Sequence, residues 1–174
     1  FATIAASKGL MLEVDRCRDT VHSDPTLVEE ILRNLLSNAI KYTRAGMVQL
    51  RCLHEPSLIR LEVLDTGIGI PADELPRISD EFYQVGVASN STRDGYGLGL
   101  SIVQRLVKLL SLRLDVRSEV GKGSAFSLAV PTARRDAVRP RASEPAGTAP
   151  ASEAASVHVL VVDDDSVVRA ATRM

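Results

Sequence analysis

Apolar residues recur every three to four positions in two stretches of the chain. The longer one spans residues 25–44 and predicts an amphipathic helix. Asp24 followed by Pro25 marks its start, because an Asp side chain caps free backbone N–H groups and proline suits the first helical position; Gly46 closes the pattern. A second helix is predicted from Leu98 through LGLSIVQRLVKLL, directly after a glycine-rich run.

Other stretches alternate between apolar and polar residues with a period near two, which is typical of β-strands. Two of them flank Glu55-Pro56-Ser57 and predict a hairpin. The predicted strands cover residues 10–14, 47–56, 57–65, 112–117 and 124–130, with Val21-His22 as a further short piece.

A long irregular segment separates the hairpin from the second helix. Residues 66–96 carry glycines, prolines and many small polar residues, with only a brief helical piece predicted near residues 77–83. Asp65 leads from the end of a predicted strand into the turn TGIGI at the start of this segment. A loop of this length inside a compact domain is usually functional or mobile.

Composition narrows the classes of function. A chain of 174 residues, 45% of them hydrophobic, can build one packed domain of ordinary size and part of another. A formal net charge of -1 and an aromatic content of 3% give no general reason to expect nucleic acid or an anionic membrane as a partner. No apolar run reaches the roughly 18 to 20 residues that span a bilayer. We therefore expect a soluble, cytoplasmic fragment of a longer protein.

Two cysteines, Cys17 and Cys52, lie far apart in the sequence, and neither belongs to a C-x-x-C pair. This spacing argues against both a disulfide framework and a zinc site. It favours a reducing compartment.

Composition changes sharply after Pro131. Residues 132–156 are rich in Ala, Pro, Arg, Ser and Glu without periodicity, which predicts a solvated linker between a domain over residues 1–131 and a second unit. The arginines between Arg134 and Arg141 are either a basic patch for a partner or, as we favour, simply solvated. Residues 157–174 carry an apolar strand pattern, an acidic run and the start of a helix.

A stripe of polar side chains follows the first helix at the margin between its apolar and polar faces: Asn34, Asn38, Lys41 and Tyr42. The amide oxygen of Asn38 suits Mg²⁺, a hard cation that takes few protein ligands when phosphates and water supply the rest. Lys41 places a positive charge close by. By itself, such a stripe is more often a solvated face.

The remaining candidates are also ambiguous when taken singly. Asp65 before Thr-Gly is either a ligand-binding acid or the cap of a turn. Gly95, Gly97 and Gly99 precede a helix, where backbone N–H groups can face a phosphate near the positive end of the helix dipole. Their spacing is not that of a dinucleotide-binding loop or a P-loop, and a lone glycine-rich run is more often a flexible loop.

Four motifs in order resolve these alternatives. DPTLVEEILRNLLSNAIKYT, DTGIGI, EFYQV and GYGLGLSIV resemble the N, G1, F and G2 boxes of the catalytic ATP-binding domain of bacterial sensor histidine kinases, and GKGSAFSLAVP resembles the closing strand of that domain. The resemblance covers residues 8–131. It implies an α+β fold, a two-layer α/β sandwich in which helices cover one face of a mixed sheet, with ATP and Mg²⁺ as cofactors.

Matched residue by residue, the resemblance implies a catalytic pair in which Asn38 ligates Mg²⁺, with help from Asn34, and Lys41 contacts phosphate. Tyr42 would lie beside the adenine, and Asp65 would accept a hydrogen bond from its exocyclic amine. A carboxylate can only accept, whereas guanine presents an acceptor at that place. A hydrogen bond to a charged group contributes about 1.5 to 3 kcal/mol, so Asp65 should favour ATP over GTP by roughly ten- to a hundred-fold.

Glycines complete the implied nucleotide site. Gly67 and Gly69 would let the backbone approach the base, and residues Val85 to Tyr96 would form a mobile lid over the triphosphate. The phosphate side of that lid would be formed by Gly95, Gly97, Leu98, Gly99 and Leu100. One departure is visible: Ser79 stands where the F box usually carries Phe, although Phe82 remains, which predicts a looser lid and lower activity.

The resemblance implies phosphoryl transfer to a histidine on a preceding dimerisation domain, which the chain lacks. Its three histidines, His22, His54 and His158, occupy ordinary strand or cap positions. Gyrase-type, mismatch-repair and chaperone ATPases share the fold, but their hydrolytic base is a Glu where this chain has Asn34, which favours a kinase over a hydrolase. A nucleotide-binding regulatory module without kinase activity is the alternative.

The C-terminal VHVLVVDDDSVVRAATRM resembles the first strand and helix of a response-regulator receiver domain. Asp163 and Asp164 match the acidic pair that binds Mg²⁺ once such a domain is complete. The implied parent is a hybrid kinase, either soluble or anchored in a bacterial inner membrane, with a receiver domain or response regulator as partner. The fragment itself should be monomeric and make no contact with nucleic acid or membrane.

Overall fold

The computed structural model describes residues 1–17, 19–84 and 97–132, which form three helices and five strands. In chain order these are α1 (Ala2–Ser7), β1 (Met11–Val14), α2 (Pro25–Tyr42), β2 (Met47–His54), β3 (Leu58–Asp65), α3 (Gly99–Leu109), β4 (Arg113–Glu119) and β5 (Gly123–Pro131). Both predicted helices and all five main predicted strands are confirmed, with ends shifted by no more than two residues.

The strands form one mixed sheet in the order β1-β2-β3-β5-β4. Only β1 and β2 run parallel; the other neighbours are antiparallel. Helices α2 and α3 pack against each other, and α2 also packs on the central strands β2 and β3. The α+β class and the helix layer over a mixed sheet are therefore confirmed.

The core lies between α2 and the sheet. Ile31 and Leu35 of α2 meet strand residues such as Val63 and Leu128 in one cluster, and each of these four side chains is at most 1% exposed. Burying a large apolar side chain contributes about 1.5 to 3 kcal/mol. The apolar stripe of α2 is thus held on the sheet, which fixes where its polar margin must lie.

Helix α2 begins and ends as local chemistry dictates. The Asp24 carboxylate accepts a hydrogen bond from Leu27 N at 3.0 Å, and Pro25 occupies the first turn, as predicted. At the other end the buried Thr43 hydroxyl donates to Ala39 O at 2.7 Å. The backbone of Thr43 itself is extended, with φ -95° and ψ 121°, so the helix stops at Tyr42, close to the predicted end.

Helix α1 was not predicted from the sequence. It has six residues, of which only Ala5 is buried, so it leaves little periodic pattern. Lys8, just after it, donates from Nζ to the carbonyl oxygens of Ile40 and Lys41 at 3.0 and 3.4 Å. This contact attaches the α1 segment to the C-terminal end of α2.

Two local predictions were wrong or only partly right. The helical piece near residues 77–83 is a series of turns, in which Asp80 N donates to Arg77 O and Tyr83 N to Asp80 O. Phe82 adopts φ 64°, in the left-handed region, so no helix can pass through it. The short strand at Val21 is a single antiparallel bridge to Thr132.

The prediction that Cys17 and Cys52 remain unpaired was wrong. The two form a disulfide, with Cα atoms 5.8 Å apart. The pairing follows from the sheet, because β1 lies beside β2. The residues that follow β1 stay next to β2, where Cys52 N donates a hydrogen bond to the Asp15 carboxylate at 3.3 Å. Distance along the sequence says nothing about such strand pairing, and the inference of a reducing compartment loses its basis.

Several predictions concern residues outside the described ranges. They are the lid from Val85 to Tyr96 with Gly95, most of the linker, and the receiver-like segment with His158, Asp163 and Asp164. Among the described residues, no helix has the length and apolarity needed to cross a membrane.

Candidate functional site

A cleft opens between α2, α3 and the loop that follows β3. The sheet contributes its floor through β3 and β5, and residues 78–84 contribute one wall. The cleft is lined by Asn38, Ala39, Tyr42, Asp65, Ile68, Gly69, Ile70, Ile78, Tyr83, Gln84, Leu100, Ser124 and Phe126.

Asp65 is the acidic group of this cleft. It is the last residue of β3 and lies opposite Ser124 of β5. Burial raises the pKa of its carboxyl above the ordinary 3.8, while hydrogen bonds from Gly67 and Ser124 act in the opposite direction. The bond from Gly67 N to Oδ1 is 2.8 Å long. The carboxylate is thus oriented by the protein, and its partial desolvation strengthens its hydrogen bonds to a ligand.

Glycine is required twice in the loop after Asp65. A β-carbon at Gly67 would lie 2.6 Å from Tyr42 O, and one at Gly69 would lie 2.0 Å from Glu119 O. Gly69 also adopts φ 68°, where glycine is favoured. The loop is therefore packed between the end of α2 and the turn that joins β4 to β5.

Asn34 and Asn38 of α2 lie close to Gly99, the first residue of α3. The Asn34 amide donates from Nδ2 to the backbone and side-chain oxygens of Glu30, both at 2.9 Å. A β-carbon at Gly99 would lie 3.2 Å from Asn34 Oδ1 and 3.7 to 3.9 Å from the two Asn38 amide atoms. The first turn of α3 thus faces the polar stripe of α2.

Lys41 and Tyr42 form a pair at the end of α2. The Lys41 amine lies 4.8 Å from the centre of the Tyr42 ring, within cation–π range. Tyr42 lines the cleft and is 40% exposed, so its ring is available to a ligand. Lys41 is half-buried and is not among the lining residues.

Gly97 and α3 contact the segment formed by residues 81–83. Gly97 adopts φ 67°, and its carbonyl oxygen accepts a hydrogen bond from Phe82 N at 3.2 Å. Leu98 caps α3, its carbonyl oxygen accepting from the Ser101 hydroxyl at 2.8 Å, and Leu100 lines the cleft. An ion pair between Glu81 and Arg105 is a second contact between this segment and α3.

The sequence did not single out several lining residues, among them Ile70, Ile78, Tyr83, Ser124 and Phe126. Four of these are apolar or aromatic, and such residues look the same in a sequence whether they line a cleft or fill a core. Ser124 is a natural hydrogen-bond partner for Asp65, because its hydroxyl lies directly across from that residue on the neighbouring strand. Finding it requires the register of β3 with β5.

Residues 23–134 match the family described as "Histidine kinase-, DNA gyrase B-, and HSP90-like ATPase". The match includes the α2 stripe, Asp65 with its glycines and the start of α3, and each of these parts contributes lining residues to the cleft: Asn38, Tyr42, Asp65, Gly69 and Leu100. The chain belongs to this family. It is a histidine kinase-type ATP-binding domain.

Named relatives support the histidine kinase branch. The sensor histidine kinase RcsC of Salmonella typhimurium strain LT2 is 39% identical over 112 residues, which are 64% of this chain and 12% of that protein. The adaptive-response sensory kinase SasA of Synechococcus elongatus is 39% identical over 127 residues, 72% of this chain and 32% of that protein. The chain therefore spans only a minor part of these relatives.

Solved structures agree with this assignment. Full-length ShkA in complex with AMPPNP superposes with a TM-score of 0.65 at 34% identity, covering 75% of this chain and 27% of that one. The mycobacterial sensor histidine kinase MprB gives a TM-score of 0.63 at 27% identity, covering 75% of this chain and 90% of that one.

Proposed function

We propose that this ATP-binding domain transfers the γ-phosphoryl group of Mg-ATP to a histidine on a separate dimerisation domain, within a two-component sensor kinase. The observation that carries the proposal is the convergence of Asp65, Asn38 and Leu100 of α3 on one cleft, with Asn34 beside Gly99 at the start of α3. Each group suits a different part of the nucleotide.

Adenine would bind at the Asp65 end of the cleft. The Asp65 carboxylate accepts the exocyclic amine, and the apolar side chains of Ile70, Ile78 and Phe126 offer a dry surface to the ring. Tyr42 presents a partly exposed ring at the same wall. Gly67 and Gly69 keep side chains out of the loop that borders the base.

Mg²⁺ fits the donor set of the α2 stripe. Because Asn34 Nδ2 is engaged by Glu30, its Oδ1 is the end turned toward Gly99 and Asn38. Amide oxygens are hard ligands that suit Mg²⁺. No cluster of three or more His, Cys, Asp or Glu side chains that could hold a metal occurs in the described ranges, so phosphate and water would supply the other ligands. When bound, the cation neutralises charge on the triphosphate.

Phosphoryl transfer then depends mainly on positioning. The first turn of α3 directs backbone N–H groups and the positive end of its dipole toward the phosphates, and Lys41 adds a cation once it leaves the Tyr42 ring. An incoming imidazole nitrogen attacks the γ-phosphorus while the bond to the β-γ bridging oxygen breaks, and ADP leaves.

Hydrolysis of ATP by water should be slow in comparison with phosphoryl transfer to the histidine. Asn34 occupies the position one turn before Asn38, and an amide cannot accept a proton from water at neutral pH. The carboxylate one turn further back, Glu30, is held by the Asn34 amide. Without a base at that place, the phosphoryl group is kept for another acceptor.

His54 of this domain cannot serve as that acceptor. It lies on β2 six residues beyond Val48, which pairs with Asp65, so about 20 Å separates it from the cleft at the usual rise per strand residue. Its Nδ1 is paired with the Asp19 carboxylate at 2.9 Å. We therefore propose that the acceptor histidine is supplied by a domain upstream in the parent protein.

The decisive experiment supplies that upstream domain in trans, with γ-labelled ATP and Mg²⁺. We expect label on its histidine, and we expect Asn38→Ala to lower the transfer rate at least ten-fold, because a single metal-side contact is lost. Asn38→Ala should also remove most of the Mg²⁺ dependence of ATP binding in a calorimetric titration. Selective ATP binding without any transfer would instead support the alternative, a regulatory module without kinase activity.

Ser79 offers a way to raise activity. It is half-buried next to Ile78, which lines the cleft, so a phenylalanine there should anchor the segment that leads toward the lid. We expect Ser79→Phe to increase the transfer rate a few-fold, measured by the same assay. Unchanged kinetics would refute the idea that Ser79 loosens the lid.

The wider assembly is also a proposal. The receiver-like pattern of residues 157–174 supports a hybrid kinase whose receiver domain, or a separate response regulator, takes the phosphoryl group next. The present chain should not be phosphorylated by an acyl phosphate donor, because the phosphoacceptor Asp of such a domain lies on a later strand. Incorporation of phosphate from acetyl phosphate would contradict this proposal.

A further inference from the structure

Three hydroxyl and carboxyl side chains lie side by side across neighbouring strands at the adenine end of the cleft. Asp65 of β3 pairs with Ser124 of β5, and Ser124 pairs with Ser118 of β4. Ser118 is half-buried and is separated from Asp65 by the width of one strand. It does not line the proposed adenine site itself.

The Ser118 hydroxyl oxygen has three polar neighbours. It accepts a hydrogen bond from Ile70 N at 2.8 Å, donates to Gly123 O at 3.0 Å, and lies 3.0 Å from the Ser124 hydroxyl. Ile70 ends the loop that contains Gly67 and Gly69 and lines the cleft. Ser118 is thus in contact with both the loop and the partner of Asp65.

Proton counting gives this cluster a direction. A serine hydroxyl donates one hydrogen bond and can accept two. Ser124 donates to the Asp65 carboxylate, and the single proton of the Ser118 hydroxyl is shared between Gly123 O and the Ser124 oxygen. Ser118 in turn accepts from Ile70 N, and the chain then runs from a backbone amide through two hydroxyls to a carboxylate. Each bond in such a chain polarises the next.

We propose that Ser118 is a positioning residue that determines adenine specificity, because its hydroxyl fixes the Ile70 end of the loop and, through Ser124, the orientation of the Asp65 carboxylate. This inference rests on the proposed function, in which Asp65 accepts the amine of adenine. Ser118 acts only through its neighbours and touches no part of the nucleotide.

The test compares ATP and GTP affinities of the whole chain by calorimetric titration. We expect Ser118→Ala to weaken ATP binding about three- to ten-fold, the range that loss of one neutral hydrogen bond supports. GTP binding, which gains nothing from a well-aimed acceptor, should change little, so the ratio of the two affinities falls. Ser118→Thr keeps the hydroxyl and suits a strand, and it should restore the ratio.

Ser127→Ala is the matched control. Ser127 lies on β5, as Ser124 does, but on the opposite face of the sheet. Its hydroxyl donates to Glu62 at 2.8 Å. This change should lower the free energy of unfolding and leave the ATP to GTP ratio as it was. Ser118→Cys, which keeps the shape but replaces the hydroxyl by a weak donor, gives the same comparison should Ser118→Ala unfold.

The pH dependence separates positioning from simple loosening of the fold. If Ser118 polarises Ser124, its loss weakens the hydrogen bond to Asp65, the pKa of that carboxyl rises further, and ATP affinity is lost at a higher pH than in the parent chain. Equal weakening of ATP and GTP, or an unshifted pH profile, overturns the inference. Failure of the unsubstituted chain to prefer ATP overturns the proposed function as well, which distinguishes the two failures.

Discussion

Asp65→Ala should weaken ATP binding ten- to a hundred-fold while the domain remains folded. The loss corresponds to one charge-assisted hydrogen bond of about 1.5 to 3 kcal/mol. GTP has no amine at that position, so the affinity of the variant for GTP should change little. Calorimetric titration with both nucleotides measures the effect, and circular dichroism reports the fold. Unchanged ATP affinity in a folded sample would remove Asp65 from the site.

Asp65→Asn is the sharper control because it keeps the shape. The amide retains an acceptor for Gly67 N, and its NH₂ group can donate to guanine, so selectivity should shift toward GTP. The folded-state pKa of Asp65 is raised by burial, so its contribution to stability is present below the ordinary 3.8 and is lost as pH rises through the folded value. At neutral pH the ionised group therefore costs stability, and Asp65→Asn should unfold no more easily than the parent.

The same pKa shift predicts how binding depends on pH. Only the ionised carboxylate accepts the amine, so ATP affinity should fall as the pH is lowered through the raised pKa of Asp65. In Asp65→Asn this dependence should disappear. A pH profile shared by the two proteins would assign the titration to another group.

Gly69→Ala should destabilise the domain by about 2 to 5 kcal/mol, the sum of a left-handed backbone penalty and a steric clash. Gly69 has φ 68°, and a β-carbon there would lie 2.0 Å from Glu119 O. That oxygen belongs to the backbone at the end of β4, so it cannot move aside without distorting the strand and its turn. ATP affinity should fall too, because the loop that follows Asp65 must shift. Urea unfolding monitored by circular dichroism gives the energy.

Gly121→Ala separates the two contributions. Gly121 lies in the same turn at φ 77°, but a β-carbon there meets nothing within 4 Å. Gly121→Ala should therefore lower the free energy of unfolding only by the backbone penalty of about 1 to 2 kcal/mol. Equal losses at Gly69 and Gly121 would mean that the close approach of the loop to Glu119 is unimportant.

Much of the fold follows from local features of the sequence. The Asp24-Pro25 start, the 3.6-residue period of α2 and the alternation of the hairpin strands each depend on residues a few positions apart. The motifs placed Asn34, Asn38 and Gly99 in one implied nucleotide site, and in the structure the two amides lie beside Gly99.

What the sequence could not supply is mostly the pairing of distant strands. The Cys17–Cys52 bond requires β1 beside β2, and the contact of Ser118 with the loop after Asp65 requires β4 beside β5. The order β1-β2-β3-β5-β4 is settled by packing of the whole sheet and leaves no local trace. The turns at residues 72–82 are another case, because the left-handed Phe82 depends on its contact with Gly97.

The contact of Lys8 with the end of α2 joins the α1 segment to the helix that carries the polar stripe. Its amine is hydrogen-bonded to the carbonyl oxygens of Ile40 and Lys41, one turn or less from the Tyr42 ring at the cleft wall. A displacement of α1 therefore acts on the end of α2 beside Tyr42 through this amine, and on the hydrophobic core through Ala5. Mechanical force applied before β1 and a ligand beside Tyr42 would therefore act on the same turn of α2.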